Sequence, residues 1–139
     1  MLEIYNLKDS THVVRIGPHG EPKFKVAEGY GIPTGIMGFC DVQVTDSAIY
    51  AVFQGRTFKE IAEAARRGDM TDGGRYVYVF SLMGETLRKY ELDHVIYGMF
   101  VDEQCRTIVA TDVNRDEPIS EYDMSRCNKK WYKEGSYYR

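Results

Sequence analysis

Val77-Tyr78-Val79-Phe80-Ser81-Leu82 decides how this chain is read, because its pattern occurs twice more, as Leu2-Glu3-Ile4-Tyr5-Asn6-Leu7 and as Ile119-Ser120-Glu121-Tyr122-Asp123-Met124. Each copy opens on an aliphatic residue and carries an aromatic in fourth place. A small turn-prone polar residue follows, and an aliphatic residue closes the pattern. One strand pattern written three times marks a repeat protein.

Phe80 and Tyr122 stand 42 residues apart, a usual length for a four-stranded propeller blade, whereas Tyr5 and Phe80 are 75 apart and leave room for insertions. A second repeat fixes the phase. Val44-Thr45-Asp46-Ser47-Ala48-Ile49-Tyr50-Ala51 aligns with Val101-Asp102-Glu103-Gln104-Cys105-Arg106-Thr107-Ile108-Val109-Ala110, and both read as strand, polar turn, strand.

Working outward, residues 2–7 and 12–16 form a hairpin with Asp9-Ser10 at its turn, the outer two strands of a first blade within residues 1–16. Residues 17–38 hold three of the four prolines and a dense set of glycines, which reads as a long connection without strands. A complete blade then spans 39–92, with strands near 39–45, 48–54, 75–81 and 86–92 and a turn at Met83-Gly84-Glu85. Alternation at Val42/Val44 and Val77/Val79 and the abundance of valine and tyrosine support those strands.

A helix at 57–67 interrupts this blade. Thr57-Phe58-Lys59-Glu60 is a capping box, and Gly68 offers a stop. Phe58, Ile61, Ala62 and Ala65 share one apolar face, which is expected to dock on another part of the protein because so short a helix is marginal alone. A second blade covers 95–133, with strands near 95–102, 106–112 and 118–124 and a fourth drawn from the tail that begins at Cys127. The fold class is therefore all-β: antiparallel four-stranded propeller blades, about two and a half of them, with one short inserted α-helix, in a single partial domain over 1–139.

Composition narrows the function. The 139 residues carry 18 basic and 21 acidic side chains for a net charge of −3, with no dense basic run beyond Lys129-Lys130, so nucleic-acid binding has no electrostatic footprint. No apolar run reaches the length of a membrane span, and the first residues lack the basic and apolar regions of a signal peptide. Cys40, Cys105 and Cys127 are odd in number and widely spaced, which indicates neither a zinc pattern nor a disulfide framework; Cys40 and Cys105 read as strand and turn positions, and Cys127 as a free thiol, with pairing between chains the alternative. His12, His19 and His94 lie in separate segments without ligand spacing, so no zinc centre is expected.

Two motifs invite chemistry and are set aside. Gly29-Tyr30-Gly31-Ile32-Pro33-Thr34-Gly35 lacks the dinucleotide spacing and a following helix N-terminus, and it reads as a loop packing against the sheet. Asp112, Asn114 and Asp116 alternate as in a calcium loop with Asp123 in the twelfth place, but Glu117 stands where the turn needs glycine, which favours a polar turn. No metal and no cofactor are expected.

With Tyr76-Val77-Tyr78-Val79-Phe80-Ser81, the turn before Glu85, and Met99-Phe100-Val101-Asp102-Glu103 leading to Ile108-Val109-Ala110, the chain resembles the TolB-like six-bladed β-propeller group over most of residues 2–124. Glu117-Pro118-Ile119-Ser120-Glu121-Tyr122-Asp123 is similar to strands in lipoprotein-like members, and the WD dipeptide of commoner propellers is absent. The resemblance implies six blades, which need roughly 250 residues at this period. The chain is thus expected either to form a homo-oligomer or to be part of a longer propeller. It further implies a place at the cell envelope if a leader lies upstream, and a cytoplasmic one otherwise.

In an up-and-down blade the B–C and D–A connections leave at one end. That end gathers the glycine-rich connection, the helix, Asp93-His94 and residues 112–116, and loops on a rigid scaffold are where binding groups sit. Tyr30, Gln54, Arg56 and His94 are the candidate ligand-binding residues. The expected function is a non-catalytic scaffold that binds protein, peptide or glycan through this face. The alternative is a propeller hydrolase or lyase whose channel site is completed by other blades. No catalytic residues are assigned from sequence.

Overall fold

Eleven strands and one helix run along the computed structural model, which describes residues 1–69, 72–112 and 115–126. The first hairpin pairs β1 (Leu2–Asn6) with β2 (Thr11–Arg15), in register from Leu2↔Arg15 to Asn6↔Thr11. Its turn is fixed locally. The Asp9 carboxylate accepts hydrogen bonds from the Thr11 N–H at 3.0 Å and the Thr11 hydroxyl at 2.8 Å, and Ser10 takes a left-handed φ of 58°.

Sequence reading left 17–38 without strands, yet the structure places a second hairpin there, β3 (Phe24–Ala27) with β4 (Tyr30–Pro33). Ala27 pairs with Tyr30, so Glu28-Gly29 is a two-residue turn, and both residues have positive φ (52° and 81°) as the tightest hairpin turns require. Glycine here serves the turn. Pro33 sits at the open end of the hairpin, where a missing donor costs least. The segment 29–35 is accordingly a hairpin arm, not a loop.

Four antiparallel strands follow in the order β5 (Phe39–Val44), β6 (Ala48–Phe53), β7 (Gly74–Ser81) and β8 (Thr86–Ile96). This is one whole blade. All six residues of β6 are buried, as a strand covered on both faces must be. Ile49, Ala51 and Phe53 face one way with Tyr78 and Phe80, against Leu2 and Ile4 of β1 and against Ile36 and Phe39. Ala48, Tyr50 and Val52 face the other way with Val77, Val79, Tyr90 and Leu92, against Val101, Ile108 and Ala110.

The last three residues belong to β9 (Gly98–Asp102), β10 (Thr107–Thr111) and β11 (Ile119–Asp123), ordered β11-β10-β9, the third sheet of a stack in which β1–β2 is the first and β5–β8 the second. The β1–β2, β5–β8 and β9–β11 sheets pack face to face in that order, which gives the propeller packing, while the β3–β4 hairpin is largely exposed. The fourth strand sought in the tail, and the tail aromatics Trp131, Tyr132, Tyr137 and Tyr138, lie outside the described residues, as does Cys127. Cys40 and Cys105 are free thiols, one in β5 and one in the β9–β10 turn.

Polar ties reinforce the contact between the second and third sheets. At its inner edge the Gln43 side chain imitates a strand: its carbonyl accepts the Val101 N–H at 2.6 Å and its amide donates to the Val101 carbonyl at 3.2 Å. The Asp41 carboxylate accepts the Met99 N–H at 2.9 Å. At the A–B end, Glu103 accepts from Ser47 at 2.5 Å and from the Tyr50 hydroxyl at 3.0 Å. An unpaired buried amide costs about 1–3 kcal/mol, so these side chains matter where no ladder joins the two sheets.

The helix α1 (Phe58–Arg66) carries its capping box as read: Glu60 N–H donates to the Thr57 hydroxyl at 3.1 Å, and Thr57 N–H donates to the Glu60 carboxylate at 2.7 Å. Its docked face differs from the expected one. Ala64 is the buried residue, while Phe58 and Ala65 are exposed. In the blade itself Phe39, Phe53 and Tyr78 pack in tilted and edge-on contacts with centroids 5.3 to 5.9 Å apart. No helix of the described residues is long and apolar enough to cross a membrane.

Candidate functional site

The D–A connection ahead of β5 and the B–C connection after β6 are joined backbone to backbone. Gln54 N–H donates to the Gly38 carbonyl at 2.9 Å, Gly55 N–H to Met37 at 3.0 Å and Met37 N–H to Arg56 at 2.7 Å, and Ile36 bridges Thr57. The two loops therefore form one body. On it, the buried Gln54 amide donates to Asp72 at 3.1 Å, and the Arg56 guanidinium donates to the Gly73 carbonyl at 3.1 Å. The structure brings these two candidates together at the start of β7. Tyr30 stands apart at the hairpin tip with 75% of its surface exposed.

His94 belongs to a different cluster, created by an irregularity in β8. Glu91 pairs with Tyr76 and Ile96 with Gly74, so residues 92–95 stand opposite Arg75 alone. In a regular strand neighbouring side chains point to opposite faces. The bulge turns Asp93 and His94 toward each other, and His94 Nδ1 lies 2.6 Å from Asp93 Oδ1. Across the gap, β11 presents Ser120 and Tyr122 on one face. Ser120 Oγ is 3.1 Å from His94 Nε2, and the Tyr122 hydroxyl donates to Asp93 Oδ1 at 2.8 Å while lying 2.9 Å from the imidazole. Arg115 Nη1 is 3.1 Å from the ring.

The cluster is half open. The His94 side chain is 19% exposed and that of Asp93 is 78% exposed. The Tyr122 hydroxyl bond, assisted by His94, holds the Asp93 carboxyl below its ordinary value. A carboxylate with a lowered folded pKa contributes its stability above the unfolded value, about 3.9, and loses it as pH falls through the folded one. The melting temperature is therefore expected to drop below about pH 4, and Asp93→Asn should drop less over the same window. Melting curves of the two proteins from mildly acidic pH downward measure this; parallel curves would contradict it.

Sequence reasoning named Asp93-His94 and the turn holding Arg115 but missed Ser120 and Tyr122, which it used only as strand pattern. Their alternate spacing in Ile119-Ser120-Glu121-Tyr122 was the available signal for a shared face. In the calcium reading, Asp112 is buried and donates its N–H to the Pro118 carbonyl at 2.8 Å, and Asn114 lies outside the described residues. Among the described residues no group of three or more His, Cys, Asp or Glu is placed to hold a metal ion.

The stacked sheets, the inner-strand ties and the clustered loops are joined by one comparison: the family model described as TolB-like 6-blade propeller-like matches residues 1–104. The chain belongs to the TolB-like propeller family. No curated protein and no solved structure matches it. The TolB-like match runs from β1 through β9 and ends in the β9–β10 turn. It thus includes Tyr30, Gln54, Arg56 and His94, whereas Arg115, Ser120 and Tyr122 lie beyond it.

Proposed function

We propose that this TolB-like chain is a propeller scaffold that binds a protein, peptide or glycan through its B–C and D–A loop face. The reading is carried by one observation: two connections are bonded into a single body that carries Phe58 at 54% exposure, and the β3–β4 hairpin in the same D–A connection holds Tyr30 out to solvent at 75%. Aromatic anchors on a rigid support are what binding surfaces favour. In this reading Tyr30 contacts the ligand, Gln54 and Arg56 stiffen the platform, and His94 stands at its rim.

Both aromatics are exposed, so the double variant Tyr30→Ala/Phe58→Ala should keep its fold. Binders selected on the wild-type chain from a displayed peptide library or a glycan array are expected to lose about tenfold or more in affinity for it. Equal affinity for both proteins, or no enriched binder, would defeat the proposal.

The proposal extends to assembly. Phe100 and Ile119 are exposed on the far face of the third sheet, and Val42 and Val44 on the face of β5 that looks back toward β1. Flanking blades of a six-bladed ring would cover both, supplied by further copies or by the rest of a longer polypeptide. Light scattering on this chain should give a species larger than one copy, and a stable monomer would rule out self-completion.

A further inference from the structure

We infer that Asp93, His94 and Ser120 form a nucleophilic site that hydrolyses small esters, with Ser120 Oγ as the nucleophile. This goes beyond loop-face binding and does not depend on it. The geometry has three parts. Asp93 accepts from His94 Nδ1 at 2.6 Å, which makes Nε2 the proton-accepting nitrogen, and Ser120 shares its surroundings with the Tyr122 hydroxyl at 2.9 Å and Arg115 Nη1 at 3.1 Å. Ser120 Oγ stands 3.1 Å from that Nε2, within reach for proton transfer. The Tyr122 hydroxyl, at 2.8 Å from Asp93 Oδ1, holds the carboxylate in place. Nucleophile, base and orienting acid follow one another in the order that acyl transfer requires.

Two features separate this from an ordinary surface network. First, Asp93 and His94 are chain neighbours that meet only because β8 is bulged opposite Arg75, and bulges often re-aim side chains beside active sites. Second, a cation is present: Arg115 Nη1 lies 3.1 Å from the imidazole, where it can approach the oxygen that gains negative charge. The site is open to solvent at the rim of the sheets, which suits small substrates over enclosed ones.

In the reaction the Ser120 Oγ–carbon bond forms on the ester carbonyl while the hydroxyl proton passes to Nε2. The carbon–alkoxide bond then breaks, and the leaving oxygen takes that proton. Water attacks the acyl-serine, gives its proton to Nε2, and the acid departs as Ser120 recovers its own. Nothing is oxidised or reduced, and no further reactant is needed.

A fluorophosphonate probe tests the nucleophile directly. The wild-type chain is expected to gain one adduct, located on Ser120 by peptide mass, and Ser120→Ala none. His94→Gln should label about 100-fold or more slowly. No adduct, an adduct elsewhere, or labelling of His94→Gln at the wild-type rate would overturn the assignment. Because His94→Gln also loosens a contact between sheets, Ser120→Cys supplies an independent reading. Beside His94 the thiol should still react with iodoacetamide near pH 6, well below the usual thiol pKa of about 8.5. The pH profile of an ordinary thiol would count against the site.

Discussion

Phe80→Ala is expected to destabilise the chain by about 3–5 kcal/mol, a loss seen as a large fall in the urea midpoint at nearly constant slope. Phe80 is fully buried and pairs with Ile49 in the centre of the blade. Its ring meets Phe39 edge-on at 5.9 Å and Tyr78 in a stack at 6.3 Å. Removing it leaves a void between the blade and the β1–β2 hairpin, lined by the side chains of the same cluster, Leu2, Phe39 and Tyr78 among them. Since whole domains hold only about 5–15 kcal/mol, the variant should be near the edge of folding at ambient temperature. A cost below about 1 kcal/mol would mean that this face is not covered as described.

Gly74→Ala should be comparably severe, about 4 kcal/mol or outright failure to accumulate folded protein. A Cβ at this position would lie 2.1 Å from the Phe53 carbonyl oxygen and 2.6 Å from its carbon, and backbone atoms cannot swing aside. Relief requires β6 and β7 to separate at the end of their ladder, just past the Phe53↔Tyr76 pair. The damage reaches the loop face as well, because Arg56 is tethered to the adjoining Gly73 and Gln54 to Asp72. Gly20→Ala is the matched control: it has a positive φ of 83° and open space around its Cβ, so it should cost only the left-handed penalty of about 1–2 kcal/mol. Thermal melts of the two variants distinguish steric from conformational cost.

What sequence revealed of the fold was whatever local chemistry specifies. The aromatic in fourth place marks β1, β7 and β11: Phe80 and Tyr122 pack into the core clusters, while Tyr5 is exposed and stacks on His12 across its own hairpin. The capping box of α1 was legible too, since Thr57 and Glu60 satisfy their own helix end. The β3–β4 hairpin was hidden, because glycine and proline density argues for a loop unless the turn conformation of Glu28-Gly29 is known. Phe58 was assigned inward from helical spacing, whereas the helix buries Ala64 and leaves Phe58 exposed.

The site was less legible. Gln54 and Arg56 were marked as ligand contacts by residue type, yet their polar groups hold the turn leading into β7. The His94 cluster needs two facts that no single strand carries: how many residues of β8 oppose β7, and which face of β11 lies beside it. Both arise from pairing between distant segments. Ser120 consequently read as a strand residue until its neighbour across the gap was placed.

The side-chain bridge from β5 to β9 sets the phase of one blade against the next. Asp41 and Gln43 reach Met99 and Val101 because they occupy alternate positions of β5. Slippage of that strand by a single residue would turn Cys40 and Val42 toward the neighbour instead, and Val42 has no polar group to offer. Two side chains thus act as a key that admits one alignment where no shared ladder could impose it.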